Sequence, residues 1–399
     1  MTINIFYISL VALFFISSSF LGLIDLPFPV HDGMLVISLV VLIFYSKELN
    51  KNTFYQDRYF HYFFIYSFIA TLIMAYLNFG QPILYSIRVG RILVIYTIVI
   101  LALNIVLKKF NIKRAHHFIA IVSFIIIFIN FYVYTTGDTS ILGENATVLK
   151  RLGEIRITIG TFTSIVFIFY LYHQVKENKW LILPLVGLLL TMIIVSKTRS
   201  VLFPILIIML IPLLRGYKAQ VMKLWIGFGI IVLISFMVSG YEKSILSPIV
   251  NLFTLLVEES QTVKNSNVNI RGLELAYFWS FLDIKSIIFG YGMENTLYKE
   301  LYVSHFYLTD IGLFKIFYQH GIIGSILYCF LLWRLYKVSK VANTAIHFTG
   351  RSIVYFQILS PSSVFVYTTE YMFLLFVVYI LVKNYNIDYR NKNRQKESI

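Results

Sequence analysis

Cysteine is nearly missing from this chain of 399 residues. Cys329 stands alone inside an apolar run, so neither a disulfide nor a thiolate metal cluster can be built. Charge is also scarce, at 13% of residues, and only 8 prolines interrupt a chain that is 58% hydrophobic with a mean hydropathy of +0.78. Those values lie outside the range of soluble domains. No His-Glu-x-x-His pair, no phosphate-cradling Lys-Ser/Thr loop and no Gly-x-Gly-x-x-Gly turn after a strand is present. A zinc-dependent or ATP-driven mechanism therefore finds no residues to support it, and neither a metal nor a cofactor is expected.

Acidic residues are the scarcer sign, 19 against 34 basic, leaving a net charge of +15. Such an excess could suggest nucleic acid, but its distribution argues otherwise. Apolar runs of the length that crosses a bilayer, roughly 17–25 residues each, predict an all-α polytopic membrane protein with about twelve transmembrane helices. They fall near 3–21, 30–46, 59–78, 90–107, 116–134, 157–173, 180–196, 201–214, 224–239, 311–332, 341–360 and 363–382. Twenty Lys and Arg cluster in alternate loops and the tail, from Lys47 and Arg58 to Lys383 and Arg390, with only Glu48, Asp57, Glu177, Asp388 and Glu397 beside them. The whole excess thus falls on one side, which the positive-inside tendency assigns to the cytoplasm together with both termini. No nucleic-acid partner is needed to explain it. The first apolar run lacks a basic leader and a small-x-small site, so it reads as a retained anchor.

The chain reads as one integral membrane domain, 1–399, interrupted by one long extracytoplasmic loop at about 240–310. That loop carries Arg271, Glu274, Trp279, Gly290-Tyr291-Gly292, His305 and Asp310. Other outward segments add cations. Arg88 and Arg91, three apart, share a face if helical and act either as snorkelling anchors or as ligand contacts. Arg156 follows a loop of mixed charge. Arg199 sits in the tight turn Ser196-Lys197-Thr198-Arg199-Ser200, where an unpaired guanidinium would be costly and so points to a cavity with a partner. Arginine's planar fork suits phosphate oxygens, while Asp310 or His305 could take a proton from a hydroxyl. Asp310 reads equally as a helix N-cap, and Trp279 and Tyr291 either stack on sugar faces or anchor at the interface. His320 reads as a packed core histidine.

The order Ser196–Ser200, Arg271-Gly272-Leu273-Glu274 through Trp279, Phe289-Gly290-Tyr291-Gly292, Asp310-Ile311-Gly312-Leu313 and Gly321-Ile322-Ile323-Gly324 resembles the O-antigen polymerase and O-antigen ligase superfamily. The resemblance implies a helical glycosyltransferase-like fold acting on undecaprenyl-pyrophosphate-linked oligosaccharide at the outer face of a bacterial cytoplasmic (inner) membrane. It places Arg199 and Arg271 on the lipid pyrophosphate, with Arg156, Arg88 and Arg91 as further candidates. Catalysis would fall to Asp310 and His305, and sugar or loop contacts to Glu274, Trp279 and Tyr291. Asp310 stands where the ligases carry histidine, which implies the polymerase branch. That reading brings a separate flippase and a chain-length regulator as expected partners. The competing readings are a ligase-type glycan transferase and a flippase for the same lipid-linked sugars.

Overall fold

The computed structural model describes residues 5–18, 29–49, 57–109, 112–142, 148–151, 154–157, 159–196, 199–214, 277–294, 313–360 and 368–397. The described residues are almost wholly helical. Among the described residues six helices are long and apolar enough to cross a bilayer, and three shorter apolar ones accompany them. This is the composition of a helical membrane protein. The predicted ninth run, 224–239, lies outside the described residues; each of the other eleven contains a helix, but only those six meet the length and apolarity of a span.

The described contacts fall into two compact units. The first contains α1 (Ile5–Ser17), α2 (Val30–Tyr45), α3 (Arg58–Phe79), α4 (Ile83–Val106) and, after 270, a short helix α9 (Ile284–Phe289). It continues with α10 (Leu313–Ser339), α11 (Ala345–Leu359) and α12 (Thr369–Glu397). The second contains α5 (Ile112–Thr136), a hairpin of β1 (Val148–Arg151) and β2 (Glu154–Ile157), α6 (Thr161–Gln174), α7 (Ile182–Leu190) and α8 (Arg199–Leu214).

The core of the first unit is aromatic. Phe60 lies 4.6 Å from Tyr379, and Phe64 and Tyr96 each lie 5.8 Å from Phe376, locking α3, α4 and α12 together. Between helices already in lipid, packing of this kind replaces the hydrophobic drive that a soluble core enjoys. Gly80 ends α3 in the left-handed region, its N–H bonded to the Ala75 and Tyr76 carbonyls, and Pro82 starts α4 two residues later.

Two boundaries differ from expectation. α4 begins at Ile83 rather than 90, because Pro82 pre-sets its first turn, so Arg88 and Arg91 lie inside the helix and not in a segment before it. α12 runs to Glu397, well past the apolar run, because its charged residues are themselves good helix formers once the membrane half is anchored. Arg351, inside α11, donates to the Ser339 and Ala342 carbonyls and so lies beside Lys340.

Candidate functional site

The most unusual backbone in the first unit is inside α10. Gly321 has φ 66° and ψ −167°, so two helical pieces meet there at a break. A break removes the i+4 donors for the carbonyls just before it, and such groups at membrane depth must find partners. They find them in another segment. The Tyr291 amide donates to the Tyr318 carbonyl at 2.6 Å and the Gly292 amide to the Gln319 carbonyl at 3.1 Å. The Tyr66 hydroxyl of α3 donates to the His320 carbonyl at 3.2 Å.

Glycine makes this contact possible on both sides. A Cβ on Gly321 would collide with the Ile288 carbonyl, and one on Gly290 with the Gln319 carbonyl. Both glycines have positive φ. The sequence showed these glycines as turn residues; it did not show that they meet.

The described part of the long loop, Tyr277–Glu294, is thereby fixed against α3 and α10. Asp283 caps α9, accepting from the Ser286 amide at 2.7 Å. Hydrogen bonds from Ser286 hold its carboxyl below the usual carboxylate range. Asn78 donates to the Tyr291 carbonyl at 3.0 Å and to Ser286 Oγ at 3.3 Å. Gln81, fully buried, donates to Ser86 Oγ at 2.9 Å and reaches the Met293 carbonyl at 3.5 Å. Tyr66, Asn78 and Gln81 were not singled out in the sequence; their only signal was a hydroxyl and two amides near one end of an apolar helix pair.

The aromatic residues of this segment divide into two kinds. Tyr291 stacks on Tyr318 at 5.1 Å and meets Phe79 and Phe281, so its ring is part of the packing. Burial, with the Asp283 and Glu294 carboxylates, pushes its hydroxyl above the usual phenol range. Trp279 stacks on Phe317 at 5.8 Å and 16°, yet remains 53% exposed. Much of the indole is therefore left uncovered by the residues it packs on. Lys315, one residue after Phe314 in the same cluster, is half-buried.

The predicted arginines are distributed over both units. Arg91 pairs with Asp32 at 3.2 Å and contacts His31 Nε2 at 3.0 Å, which ties α4 to α2. Arg88 is exposed two turns into α4. In the second unit, α7 gives way to a π-helical turn, Thr191–Ser196, before Arg199 opens α8. Strand β2, which carries Arg156 opposite Leu149, runs beside that π-turn. Arg156 and Arg199 are thus brought to one end of that unit by backbone alone; their side chains lie outside the described residues. Arg271, Glu274, His305 and Asp310 also lie outside them. His320 is fully buried with its ring edge-on to Phe63 at 6.2 Å, as a packed histidine should be.

Among the described residues no group of three His, Cys, Asp or Glu side chains is placed to hold a metal ion. What the geometry offers is a rigid backbone platform with one largely exposed indole, and a separate hairpin-and-helix end bearing two arginines. No family model matches the chain, and comparison with curated proteins found none similar to it.

Proposed function

We propose that this protein is a membrane-embedded glycosyltransferase that polymerises polysaccharide repeat units at the outer face of a bacterial cytoplasmic membrane. A glycan chain would move from its undecaprenyl-pyrophosphate carrier to a hydroxyl of a second lipid-linked unit. The anomeric carbon–phosphate oxygen bond breaks as the new glycosidic bond forms. The pyrophosphate leaves with the electron pair, stabilised by a guanidinium group for which Arg199 and Arg271 are the candidates. Asp310 or His305 takes the proton of the attacking hydroxyl.

The observation that carries this reading is the docking of Tyr277–Glu294 on the break at Gly321. Irregular backbone at membrane depth is found where it lines a cavity or a site. Glu274 stands three residues before Tyr277, and Asp310 three before Leu313. Chain length alone keeps each within roughly 11 Å of its anchor. Trp279, stacked on Phe317 yet largely exposed, suits contact with a sugar ring. In the second unit, Arg156 and Arg199 share the end at which α8 begins, and the free amides of a helix start also favour phosphate.

The test is polysaccharide profiling in a deletion strain complemented with wild type, Arg199→Ala, Arg271→Ala or Asp310→Ala, with membrane levels matched. A single accumulated lipid-linked repeat unit with loss of long chains is expected in the deletion and in the arginine variants. Long chains stranded on carrier would reassign the protein to ligation. Normal polymer in all three variants would remove these residues from the site.

A further inference from the structure

The opposite end of the first unit holds a basic pocket to which the polymerase reading assigns nothing. From the break at Gly321 to Ser339 α10 rises about 27 Å, close to the roughly 30 Å of a hydrocarbon core, and its last turns carry the basic residues of a headgroup-facing end. There Arg334, Lys337 and Lys340 line a cavity of about 500 Å³ with Lys383, Val341 and Ile387. Among the described residues no acidic side chain lines it. Lys383 is buried, but Asp57 and Asn104 consume its three protons, so its charge is already balanced. Arg334, Lys337 and Lys340 are left as a surplus of three cations, and Arg334 Nε is buried with no hydrogen-bond partner among the described residues.

The rim is apolar in a way that selects the ligand. Phe330, Trp333, Val341 and Ile387 are all more than 40% exposed beside the cations. Tyr59 packs on Phe330 and Trp333 at 6.0 and 6.3 Å, extending an aromatic belt of the kind found at headgroup depth. Asn386 fixes the wall, donating to the Val338 carbonyl at 2.9 Å and meeting His347 Nε2 at 2.9 Å. A soluble phosphate would use the cations only. A phospholipid would use the cations for its phosphate and the exposed rim for its acyl chains.

We infer that this pocket, between the end of α10 and the middle of α12, binds the phosphate headgroup of an anionic phospholipid. Basic pockets between transmembrane helices take such headgroups through charge and hydrogen bonds together. The occupant would brace α10 against α12 at the end remote from the break at Gly321.

The experiment uses the full chain purified in neutral detergent. Native mass spectrometry and thermal unfolding are read with phosphatidylglycerol, phosphatidylcholine or inorganic phosphate added. Wild type should retain phosphatidylglycerol at least tenfold better than phosphatidylcholine and unfold at higher temperature with it. The triple variant Arg334→Gln/Lys337→Gln/Lys340→Gln should lose that preference. The charge-keeping variant Arg334→Lys/Lys337→Arg/Lys340→Arg should keep it, which separates charge from folding. Equal retention of the two lipids by wild type, or an unchanged preference in the triple Gln variant, overturns the site. Protection by inorganic phosphate equal to that by phosphatidylglycerol overturns the lipid as its source.

Discussion

Lys383 donates to both carboxylate oxygens of Asp57, at 2.9 Å each, although the two residues are 326 positions apart and both are buried. Asn104 completes the cluster, donating its amide N–H to Asp57 Oδ2 at 2.7 Å while its side-chain carbonyl accepts from Lys383. The start of α3, the end of α4 and the middle of α12 are clamped by one neutral polar knot. Removing one member leaves a buried charge alone. Lys383→Met should therefore destabilise by about 3–5 kcal/mol. Asp57→Leu/Lys383→Met should recover most of that loss. Thermal unfolding of both variants in one detergent decides it; a double variant no better than the single would mean that the pair itself is what stabilises.

The crossing of Gly290 and Gly321 predicts a graded effect of adding one methyl group. Gly321→Ala meets backbone atoms of Ile288 and Gly290 and must also hold φ 66°, so it should cost more than about 2 kcal/mol. Gly80→Ala has a similar φ but nothing within 4 Å, so it should cost only about 1 kcal/mol. Equal destabilisation of the two in a thermal unfolding comparison would mean the close approach carries no energy.

Trp279 and Tyr291 should separate function from packing. Tyr291→Ala removes a ring held between Tyr318, Phe79 and Phe281 and should cost about 3 kcal/mol. Trp279→Ala, at an exposed stack on Phe317, should cost under about 1.5 kcal/mol yet shorten the polysaccharide product. Product length measured at matched membrane levels checks this; full-length polymer from Trp279→Ala would exclude its exposed ring from substrate contact.

Asp283 gives a pH dependence whose sign follows from its cap. Its folded carboxyl titrates below the ordinary value of 3.8 because Ser286 hydrogen-bonds the charged form. The cap therefore contributes fully above that unfolded value and is lost as pH falls through the lower, folded one. The protection factors of the Ile284–Phe289 amides, corrected for the intrinsic pH dependence of exchange, should fall on acidification in that window in the wild type. Asp283→Ala should exchange fast throughout and show no such step.

Much of the helical layout was legible because the solvent is a bilayer. Long apolar runs bounded by basic loops must be helices when lipid offers the backbone no partner, and Pro29 and Pro82 mark two of the starts. The boundaries that were missed lie where charge misleads. Arg88 and Arg91 read as a segment before a helix, but Asp32 and His31 on the neighbouring helix receive Arg91. Lys383 read as a tail cation, but its partner Asp57 is brought to it only by packing.

The sequence by itself determined the class of this protein: composition, run length and charge asymmetry specify apolar helices, because these quantities act locally and add along the chain. Which residues meet was decided by the tertiary structure alone. The break in α10 is invisible in Gly321-Ile322-Ile323-Gly324, since a glycine in an apolar run is compatible with an unbroken helix. It becomes a break only because the amides of Tyr291 and Gly292 and the hydroxyl of Tyr66 take over the carbonyls it exposes. The pocket of Arg334, Lys337 and Lys340 has the same origin. A row of basic residues encodes a headgroup-facing loop, but the surplus charge around a cavity arises only after Asp57 has neutralised Lys383 across the bundle.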